Sequence, residues 1–396
     1  MKILLWLSLF IVFYAFFGYG ILLFVIIKIK RILRGKPVIP TVTHDNQLPT
    51  CTLVVAAYNE ESFMPEKIQN TLALHYPAGK LNFVFITDGS SDRTPDIIAA
   101  YPQITLLHRP ERRGKIAAVH RAMNAVNSDV VVFTDANTYL NTDALINICR
   151  HYQDANVGAV AGEKRVMVDE TADATAGEGF YWKYESKLKT WDSELYTVVG
   201  AAGELFSIKT QLYKPVSETA ILDDFMISLL VAKDGYRVIY EPNAYAQETS
   251  SANVQEELKR KIRIAAGGLQ SIIWLKSLLN FFRTPLLSFQ YISHRVLRWT
   301  VVPFLMLFAL ALNIAIVIDG GNWLYQLLLA GQVAFYTMAL AGWLLEQRKV
   351  KVKLLFIPYY FCMMNYAVIR GIFRYFAGTQ SAAWEKAQRK QVIVNS

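Results

Sequence analysis

The stretch Thr52–Ala57 (TLVVAA) is a short run of apolar and β-branched residues that ends in a polar turn at Tyr58. Two stretches of the same form follow, Asn82–Thr87 (NFVFIT) and Asp129–Thr134 (DVVVFT), with helical segments predicted between them. Continuous apolar runs of this length are typical of buried strands in a parallel sheet. Their alternation with helices predicts an α/β fold, in which an open sheet has helices on its faces.

Polar and acidic residues follow each of these three strands at the point where the strand ends. Tyr58–Glu60 follow the first strand, Asp88 follows the second, and Asp135–Asn137 follow the third. The carboxyl ends of parallel strands meet at one edge of an open sheet, and ligands bind at that edge. One acidic residue in a turn is commonly just solvated. Three such clusters at one edge predict a binding site.

The first residues of the chain are strongly apolar. The run Met1–Ile27 contains a single charge, Lys2, and is followed by a basic cluster that begins at Lys28. Such a run is long enough to cross the roughly 30 Å hydrocarbon core of a bilayer. A signal peptide would have a shorter apolar region and a cleavage site, whereas this run meets a stop-transfer pattern. The sequence therefore predicts a retained membrane anchor.

Three more apolar segments lie near the end of the chain. Trp299–Ile318 and Trp323–Leu345 predict two transmembrane helices. Leu354–Phe376 predicts a third membrane segment or a re-entrant one, because Pro358 interrupts it. Val254–Leu279 alternates basic and apolar residues with helical spacing and predicts an interfacial amphipathic helix. A solvated basic face is the alternative for Lys259 and Lys261.

The basic residues beside the apolar runs predict the orientation of the chain. Lys and Arg are enriched on the cytoplasmic side of membrane proteins, which puts the region after Lys28 in the cytoplasm. The predicted organisation is an anchor at 1–30, a linker at 31–50, a cytoplasmic α/β domain at 51–250, interfacial helices at 251–298, two transmembrane helices at 299–345, a third membrane or re-entrant segment at 354–376 and a cytoplasmic tail at 377–396. The expected location is the cell membrane, with several crossings.

The composition excludes some classes of function. The chain has 396 residues, a formal net charge of +9 and 53% hydrophobic residues. The basic residues cluster beside the apolar runs and no RNA- or DNA-binding motif is present, so we expect membrane lipid as a partner and no nucleic acid. The cysteines Cys51, Cys149 and Cys362 have neither the number nor the spacing of a disulfide framework or a zinc site.

Five short motifs of the middle region have the order and spacing of one known family. They are Val54–Glu61, Thr87–Thr94, Gly114-Lys115, Asp135–Asn137 and Ile221–Phe225. Together they resemble the glycosyltransferases of family 2, which have the GT-A fold, over about Thr50–Gly268. The chain is most similar to the membrane-bound branch that includes the cellulose, chitin, hyaluronan and poly-N-acetylglucosamine synthases. The resemblance implies a GT-A domain, which has an open mixed sheet with flanking helices, combined with transmembrane and interfacial helices.

For the first three motifs, the resemblance implies binding of the sugar donor. Tyr58 and Glu60 belong to the loop that holds the nucleoside, and Asp88 accepts hydrogen bonds from the base or the ribose. Lys115 reaches the diphosphate from the start of a helix, whose N-terminus also favours an anion. Considered alone, Lys115 is equally compatible with an exposed lysine at a helix start.

The resemblance implies a metal and a catalytic base for the last two motifs. Asp135 and Asn137 take the place of the metal-binding Asp-x-Asp motif, which implies Mg²⁺ or Mn²⁺ on the diphosphate. Because Asn137 supplies a neutral carbonyl, we expect weaker metal binding but retained metal dependence. Asp224 takes the place of the base that accepts the proton of the acceptor hydroxyl, and the neighbouring Asp223 would raise its pKa. Without the family order, two such residues are a common feature of a helix start.

Two more resemblances are less complete. Arg260 and Arg263 lie where the synthases have Gln-x-x-Arg-Trp, and Arg263 matches the arginine of that motif. Ile264 replaces the tryptophan that stacks on the acceptor sugar, which argues against the usual long-chain polymerase. Near the C-terminus, Trp384 and Arg389 resemble the gating segment that closes over the diphosphate in hyaluronan synthases. An ordinary amphipathic tail is the alternative for those two residues.

The function that follows from the resemblance is inverting sugar transfer from a nucleotide-sugar, expected to be a UDP-sugar, to build a polysaccharide of the cell envelope at the cytoplasmic membrane face. The acceptor is then a glycan. Two alternatives stay open. The enzyme adds one sugar to a lipid-linked acceptor, or the chain is a non-catalytic subunit of a polysaccharide secretion system. An oligomer or an accessory secretion subunit is a further expected partner.

Overall fold

The computed structural model describes residues 1–167, 176–249, 254–348, 350 and 352–379. Most of the predicted tail at 377–396, including Trp384 and Arg389, lies outside the described residues. The chain divides into two compact units. One, the sheet unit, contains Ile27–Met167 and the described part of Lys189–Ser251. The other, the helical unit, contains Met1–Ile26 and the described parts of Val168–Leu188 and Ala252–Gln380.

Strands and α-helices of the described residues alternate through the middle of the chain. The strands are β1 Cys51–Ala57, β2 Leu81–Asp88, β3 Thr105–Arg109, β4 Val130–Asp135, β5 Tyr139–Leu140, β6 Val157–Met167, β7 Leu205–Lys209 and β8 Arg237–Thr249. The α-helices are α1 Lys2–Phe13, α2 Tyr19–Arg34, α3 Met64–Leu72, α4 Thr94–Ala99, α5 Lys115–Met123, α6 Ala144–Cys149, α7 Ala176–Leu195, α8 Asp223–Lys233, α9 Val254–Trp274, α10 Pro285–Tyr291, α11 Leu297–Trp299, α12 Val302–Ile318, α13 Trp323–Gln347 and α14 Lys353–Phe376.

The sheet is mixed and its strand order is β3-β2-β1-β4-β7-β6-β8-β5. Strands β1, β2, β3 and β4 are parallel, whereas β7 runs antiparallel to β4 and to β6. In register, Ala57 pairs with Thr87, and Ala56 pairs with Asp135. The open mixed sheet with flanking helices is therefore confirmed. The carboxyl ends of β1, β2 and β4 are neighbours at one edge of the sheet, as the strand pattern predicts.

One apolar core fixes that edge of the sheet. Every residue of β1 is buried, so the strand has helices on both faces. Met64 and Ile68 of α3 are fully buried in the same core as Leu53 and Val55 of β1. Burial of one such side chain contributes about 1.5–3 kcal/mol to stability, and the core holds the strand ends in place.

Two helical stretches of the described residues are long and apolar enough to cross a membrane. The first is Lys2–Arg34, formed by α1 and α2 with a π-helical turn at Tyr14–Gly18. The second is α13, Trp323–Gln347. These stretches coincide with the predicted anchor and with the predicted span Trp323–Leu345.

The predicted span Trp299–Ile318 differs from the structure at its start. The helical segment Pro285–Trp299 meets α12 at an angle of 60°, and the pair counts as a span only if both halves form one bent crossing. Thr300 has φ −131° and ψ −77°, which are not helical angles. Pro303 follows within the first turn of α12, where the missing N–H is tolerated. The break between the two helical segments therefore lies where the sequence favours the start of a helix.

The predicted segment Leu354–Phe376 forms one continuous helix, α14, which passes through Pro358. The segment does not turn back within those residues, so a re-entrant hairpin inside it is excluded. Pro358 lies in the second turn, where its ring removes one backbone hydrogen bond without ending the helix. Helix α14 packs against α9 and α13 in the helical unit.

Helix α9 is less exposed than an interfacial amphipathic helix should be. Its residues Ala265–Ile272 are all buried, and in its C-terminal half only Ile273 and Trp274, at the end of the helix, are exposed. Lys261 is also buried; its Nζ lies 3.3 Å from Glu257 Oε1 and 5.2 Å from the Trp182 ring centroid. The solvated-face alternative for Lys261 is therefore wrong, although Lys259 is exposed. Small residues at this end of α9 allow neighbouring helices to approach closely.

A buried carboxylate joins α7 to the segment before α12. Glu185 is 3% exposed, and its oxygens lie 3.0 Å from His294 Nε2, 2.8 Å from an Arg295 guanidinium nitrogen and 3.2 Å from one of Arg298. Arg298 Nε also donates to the carbonyl of Ala15 at 2.8 Å. Removing one partner of such a buried pair typically costs about 3–5 kcal/mol, because the remaining charge is uncompensated.

Candidate active site

Asp88, at the end of β2, is a buried carboxylate with one oxygen available to a ligand. Its Oδ2 accepts hydrogen bonds from the backbone N–H groups of Arg113 at 2.8 Å and Gly114 at 2.6 Å. Its Oδ1 is buried and has no hydrogen-bond partner among the described residues. A buried acceptor without a donor is costly, so Oδ1 is suited to accept a hydrogen bond from a ligand.

A small cleft lies beside Asp88. It is lined by Ala56, Ala57, Tyr58, Asp88, Arg112, Gly114, Lys115 and Ala118. The Arg112 guanidinium lies over the Tyr58 ring, 3.9 Å from the ring centroid, and donates to Tyr58 Oη at 3.2 Å. The φ of Gly89 is 71°, and a Cβ there would lie 2.5 Å from Arg112 Cβ. Glycine therefore lets the two loops meet and form the cleft.

Lys115 and Asp135 form an ion pair at the centre of this edge. Lys115 Nζ lies 2.7 Å from Asp135 Oδ1, and both side chains are largely buried. Burial alone would lower the pKa of Lys115, but the carboxylates of Asp135, Asp223 and Asp224 outweigh it and raise the pKa. Lys115 is therefore a permanent cation that brings the β4 end and the start of α8 together.

Asp224, in the first turn of α8, lies next to the same lysine. A Cβ on Gly203 would be 3.1 Å from Asp224 Oδ2 and 3.3 Å from Lys115 Nζ, so a larger residue there would press against both charged groups. Burial, and secondly the charge of Asp223, raise the pKa of Asp224 to about 7. A carboxyl group that titrates near neutrality is suited to accept a proton.

Ser228 fixes the start of α8 relative to the loop that contains Gly203. Its hydroxyl lies 2.9 Å from the carbonyl of Asp224 and accepts a hydrogen bond from the N–H of Ala201 at 2.9 Å. The hydroxyl is fully buried. The carboxylate of Asp224 is thus held on a rigid element.

Comparisons with known proteins relate the middle of the chain to one family. Residues 52–216 match the model of the family "Glycosyl transferase family 2". The chain carries a glycosyltransferase family 2 domain. The motifs that resemble this family lie within or next to the matched residues.

Relatives and a solved structure extend the comparison. The chain is 30% identical over 167 residues to beta-monoglucosyldiacylglycerol synthase of Trichormus variabilis, covering 40% of this chain and 34% of that protein. It is 26% identical over 257 residues to poly-beta-1,6-N-acetyl-D-glucosamine synthase of Staphylococcus aureus, covering 62% and 60%. The chain thus spans about a third to three fifths of the length of these relatives.

The mannosyltransferase PcManGT from Pyrobaculum calidifontis, solved with GDP-Man and Mn²⁺, has a similar fold. Its TM-score is 0.71 at 24% identity, over 95% of this chain and 100% of that one. This likeness shows that the sheet unit has the GT-A fold, as the motifs predict.

The residues at the end of β4 of the family 2 domain fit a divalent cation. Asp135 Oδ1 accepts a hydrogen bond from Lys115, but Asp135 Oδ2 makes no hydrogen bond within the described residues. Asn137 follows two residues later and is also buried. The described residues contain no group of three or more His, Cys, Asp or Glu side chains that would complete a metal site. A cation here would need oxygens from a bound diphosphate, which is how Mg²⁺ is commonly held.

Other predicted residues of the site are not in this cluster. Glu60 is buried between β1 and α3, where its carbonyl accepts hydrogen bonds from Phe63 and Met64 at the start of α3. Arg260 and Arg263 lie on α9, in the helical unit. Arg260 Nε pairs with Glu257 at 3.2 Å, which is an ordinary contact one turn apart on a helix. Trp384 and Arg389 lie outside the described residues.

Two buried lysines near the site were not found from the sequence. Lys67 of α3 is fully buried and donates to the carbonyl of Thr138 at 2.7 Å, in the turn after Asp135. Its spacing to Met64 and Ile68 puts Lys67 on the apolar face of α3, and this spacing could have predicted that Lys67 is buried. Lys164 Nζ pairs with Glu204 at 2.5 Å and with Glu248.

Lys164 lies on β6, Glu204 directly precedes β7, and Glu248 lies near the end of β8. No local pattern relates residues this far apart in sequence, so the sequence alone gave no signal for them. The charge of Glu204 contributes to the raised pKa of Asp224, which links this cluster to the proposed base.

Proposed function

We propose that the protein is an inverting glycosyltransferase that takes a sugar from a nucleotide-sugar, expected to be a UDP-sugar. The observation that carries the proposal is the cluster of Asp224, Lys115 and Asp135 at the carboxyl edge of a family 2 sheet. Asp224 combines a pKa of about 7 with a fixed position in the first turn of α8. These are the properties of a general base at neutral pH.

The donor would bind along the strand ends. The buried Oδ1 of Asp88 accepts a hydrogen bond from the base or the ribose, and Tyr58 and Arg112 form the other wall of that cleft. Lys115 and the N-terminus of α5 face the diphosphate and stabilise its charge. Asp135 and Asn137 would hold Mg²⁺ or Mn²⁺, which neutralises the leaving diphosphate when it is bound.

The chemical step needs one proton transfer and one displacement. Asp224 accepts the proton of the acceptor hydroxyl while that oxygen attacks the anomeric carbon. The bond from the anomeric carbon to the diphosphate oxygen breaks at the same time, and the nucleoside diphosphate leaves. A single displacement inverts the anomeric centre, so an α-linked donor gives a β-linked product. Asp223 supports the base by raising its pKa.

The product depends on the acceptor, which is either a growing polysaccharide or a lipid-linked molecule. Polysaccharide synthesis is supported by the poly-beta-1,6-N-acetyl-D-glucosamine synthase of S. aureus, whose similarity extends over 257 residues. A single transfer to a lipid-linked acceptor is supported by Ile264 in place of the stacking tryptophan and by the similarity to beta-monoglucosyldiacylglycerol synthase. We favour polymer formation at the cytoplasmic face of the membrane, and from the resemblance we expect a catalytic role for Arg263 and substrate binding by Arg260, Trp384 and Arg389.

The test is to incubate purified membranes with a panel of radiolabelled UDP- and GDP-sugars and to size the product. Long chains at early times indicate polymer synthesis. A single labelled glycolipid that extracts into organic solvent indicates one-sugar transfer. If no nucleotide-sugar is consumed, with transfer and hydrolysis both absent, the protein is a non-catalytic subunit of a secretion system and the proposal is wrong.

A further inference from the structure

The end of α14 carries two arginines that have no acidic partner among the described residues. Arg370 and Arg374 are four residues apart and lie on one face of the helix, where like charges repel each other. Arg370 donates to Tyr366 Oη at 3.2 Å. The guanidinium of Arg374 makes no hydrogen bond or ion pair with any described residue. A cation in the last turn of a helix is stabilised by the helix dipole. This effect explains Arg374, which lies in the last turn of α14, but it does not explain Arg370.

The basic residues of the neighbouring helix α9 are different. Lys259 pairs with Glu256 at 2.8 Å, and Arg260 and Lys261 pair with Glu257 at 3.2 and 3.3 Å. Each of these three cations therefore has a carboxylate partner within α9, with Glu257 shared between Arg260 and Lys261. By contrast, no carboxylate among the described residues neutralises the positive charge of the two arginines of α14.

Both arginines line a cavity between α14 and α9, which we call the arginine cavity. Its volume is about 610 Å³, and it is lined by Ile262, Arg370, Phe373, Arg374, Ala377 and Thr379. Gly371 fixes the wall between the arginines. A Cβ at Gly371 would lie 2.6 Å from Ala265 Cβ and 2.8 Å from the Ala266 nitrogen. The backbones of α14 and α9 are therefore in direct contact at Gly371. This contact fixes the position of the cavity wall.

Aromatic residues beside the arginines indicate which anion fits. Phe373, which lines the cavity, is 63% exposed, and Phe376 at the end of α14 is 72% exposed. A guanidinium binds phosphate oxygens in a two-pronged manner, and cations beside exposed aromatic rings are typical of a bilayer interface. The cavity also has room for a phosphoglycerol group and not merely for an inorganic ion.

We propose that the arginine cavity binds the phosphate headgroup of an anionic membrane phospholipid. Arg370 and Arg374 hold the phosphate, and Phe373 contacts the upper part of the acyl chains. The site lies wholly in the helical unit, and the proposal does not depend on the catalytic assignment.

The test is native mass spectrometry of the full-length protein in detergent, titrated with phosphatidylglycerol. The unaltered protein retains one phosphatidylglycerol at low mole fraction and does not retain phosphatidylcholine. In Arg370→Gln/Arg374→Gln the half-saturating mole fraction should rise roughly 30-fold, because each basic residue at an anionic surface contributes a factor of about five. Arg374→Gln alone should give about a fivefold rise. The guanidinium of Arg374 makes no hydrogen bond or ion pair with a described residue, so we expect Arg374→Gln to keep the fold.

The matched control is Lys259→Gln/Lys353→Gln, which removes the same charge from α9 and from the other end of α14. It should bind phosphatidylglycerol as the unaltered protein does. An equal loss in the control would mean a general attraction to the surface and would overturn the proposal. Full displacement by millimolar inorganic phosphate would overturn it too, since the ligand would then be a soluble anion. Equal retention of phosphatidylcholine would have the same consequence.

Discussion

At the residue scale, the pKa of Asp224 sets the pH dependence of the proposed reaction. Burial and the neighbouring Asp223 raise this pKa to about 7. A base acts in its deprotonated form, so kcat/KM should fall about tenfold per pH unit below that value. Asp223→Asn removes the like charge, lowers the pKa of Asp224 and should move the acidic limb to lower pH.

The measurement is the pH profile of kcat/KM for the unaltered protein, for Asp223→Asn and for a control variant. Asp234→Asn removes a carboxylate from the other end of α8, where Asp234 pairs with Lys214 at 2.5 Å. The limb should not move in that control. An acidic limb that stays in place in Asp223→Asn would show that Asp224 does not govern the profile.

Asn137 gives a second prediction at the residue scale. Asn137→Asp replaces a neutral oxygen with a carboxylate beside Asp135, so the Mn²⁺ concentration for half-maximal activity should decrease several-fold. Asn137→Ala removes the oxygen and should increase that concentration. The measurement is a Mn²⁺ titration of activity after treatment with EDTA. Activity that is insensitive to EDTA contradicts the metal assignment altogether.

At the element scale, Lys67 of α3 holds the turn between β4 and β5. Lys67→Met leaves the carbonyl of Thr138 without its donor, which typically costs about 1–3 kcal/mol. We expect the turn with Asp135 and Asn137 to loosen and nucleotide binding to need several-fold more Mn²⁺. The measurement is equilibrium binding of a nucleoside diphosphate as a function of Mn²⁺ concentration. Here Lys67 is a positioning residue, because it touches the turn and not the ligand.

The control for Lys67 is Lys80→Met. Lys80 also donates to backbone carbonyls, those of Asp45 and Leu48, but far along the chain from the β4–β5 turn. Its removal should leave the Mn²⁺ requirement unchanged. A folded Lys67→Met variant with an unchanged requirement would rule out the positioning role.

Secondary-structure elements could be predicted from the sequence where their signal is local, and not where it depends on distant residues. The strands Cys51–Ala57 and Val130–Asp135 were predictable because a continuous apolar run is a local signal of a buried strand. The buried half of α9 was not, because Gly371 of α14 covers Ala265 across more than a hundred residues of sequence. The ion pairs of Lys164 are equally non-local. The acidic strand ends could be placed at one edge, but the pairing of Lys115 with Asp135 needed the structure.

At the scale of the whole molecule, the topology is open to a direct test. The turn at Gly320 and Gly321 follows α12, and we expect it outside the cell, with residue Gln388 in the cytoplasm. In a Cys362→Ser background, a cysteine at Gly320 should react with an impermeant reagent added from the outer side, and a cysteine at Gln388 should react only after permeabilisation. Labelling at Gln388 in intact cells would mean that α14 crosses the membrane completely.

The central claim is that Asp224 is the base of a sugar transfer, and Asp224→Asn tests it most directly. Radiolabelled sugar transfer and equilibrium binding of the nucleotide-sugar are measured on the same membranes, with Asp234→Asn as the control. We predict that transfer falls by about 10² to 10⁴ while donor binding is nearly unchanged, because the carboxylate acts on the acceptor proton. Transfer by Asp224→Asn at the rate of the unaltered protein would contradict the account.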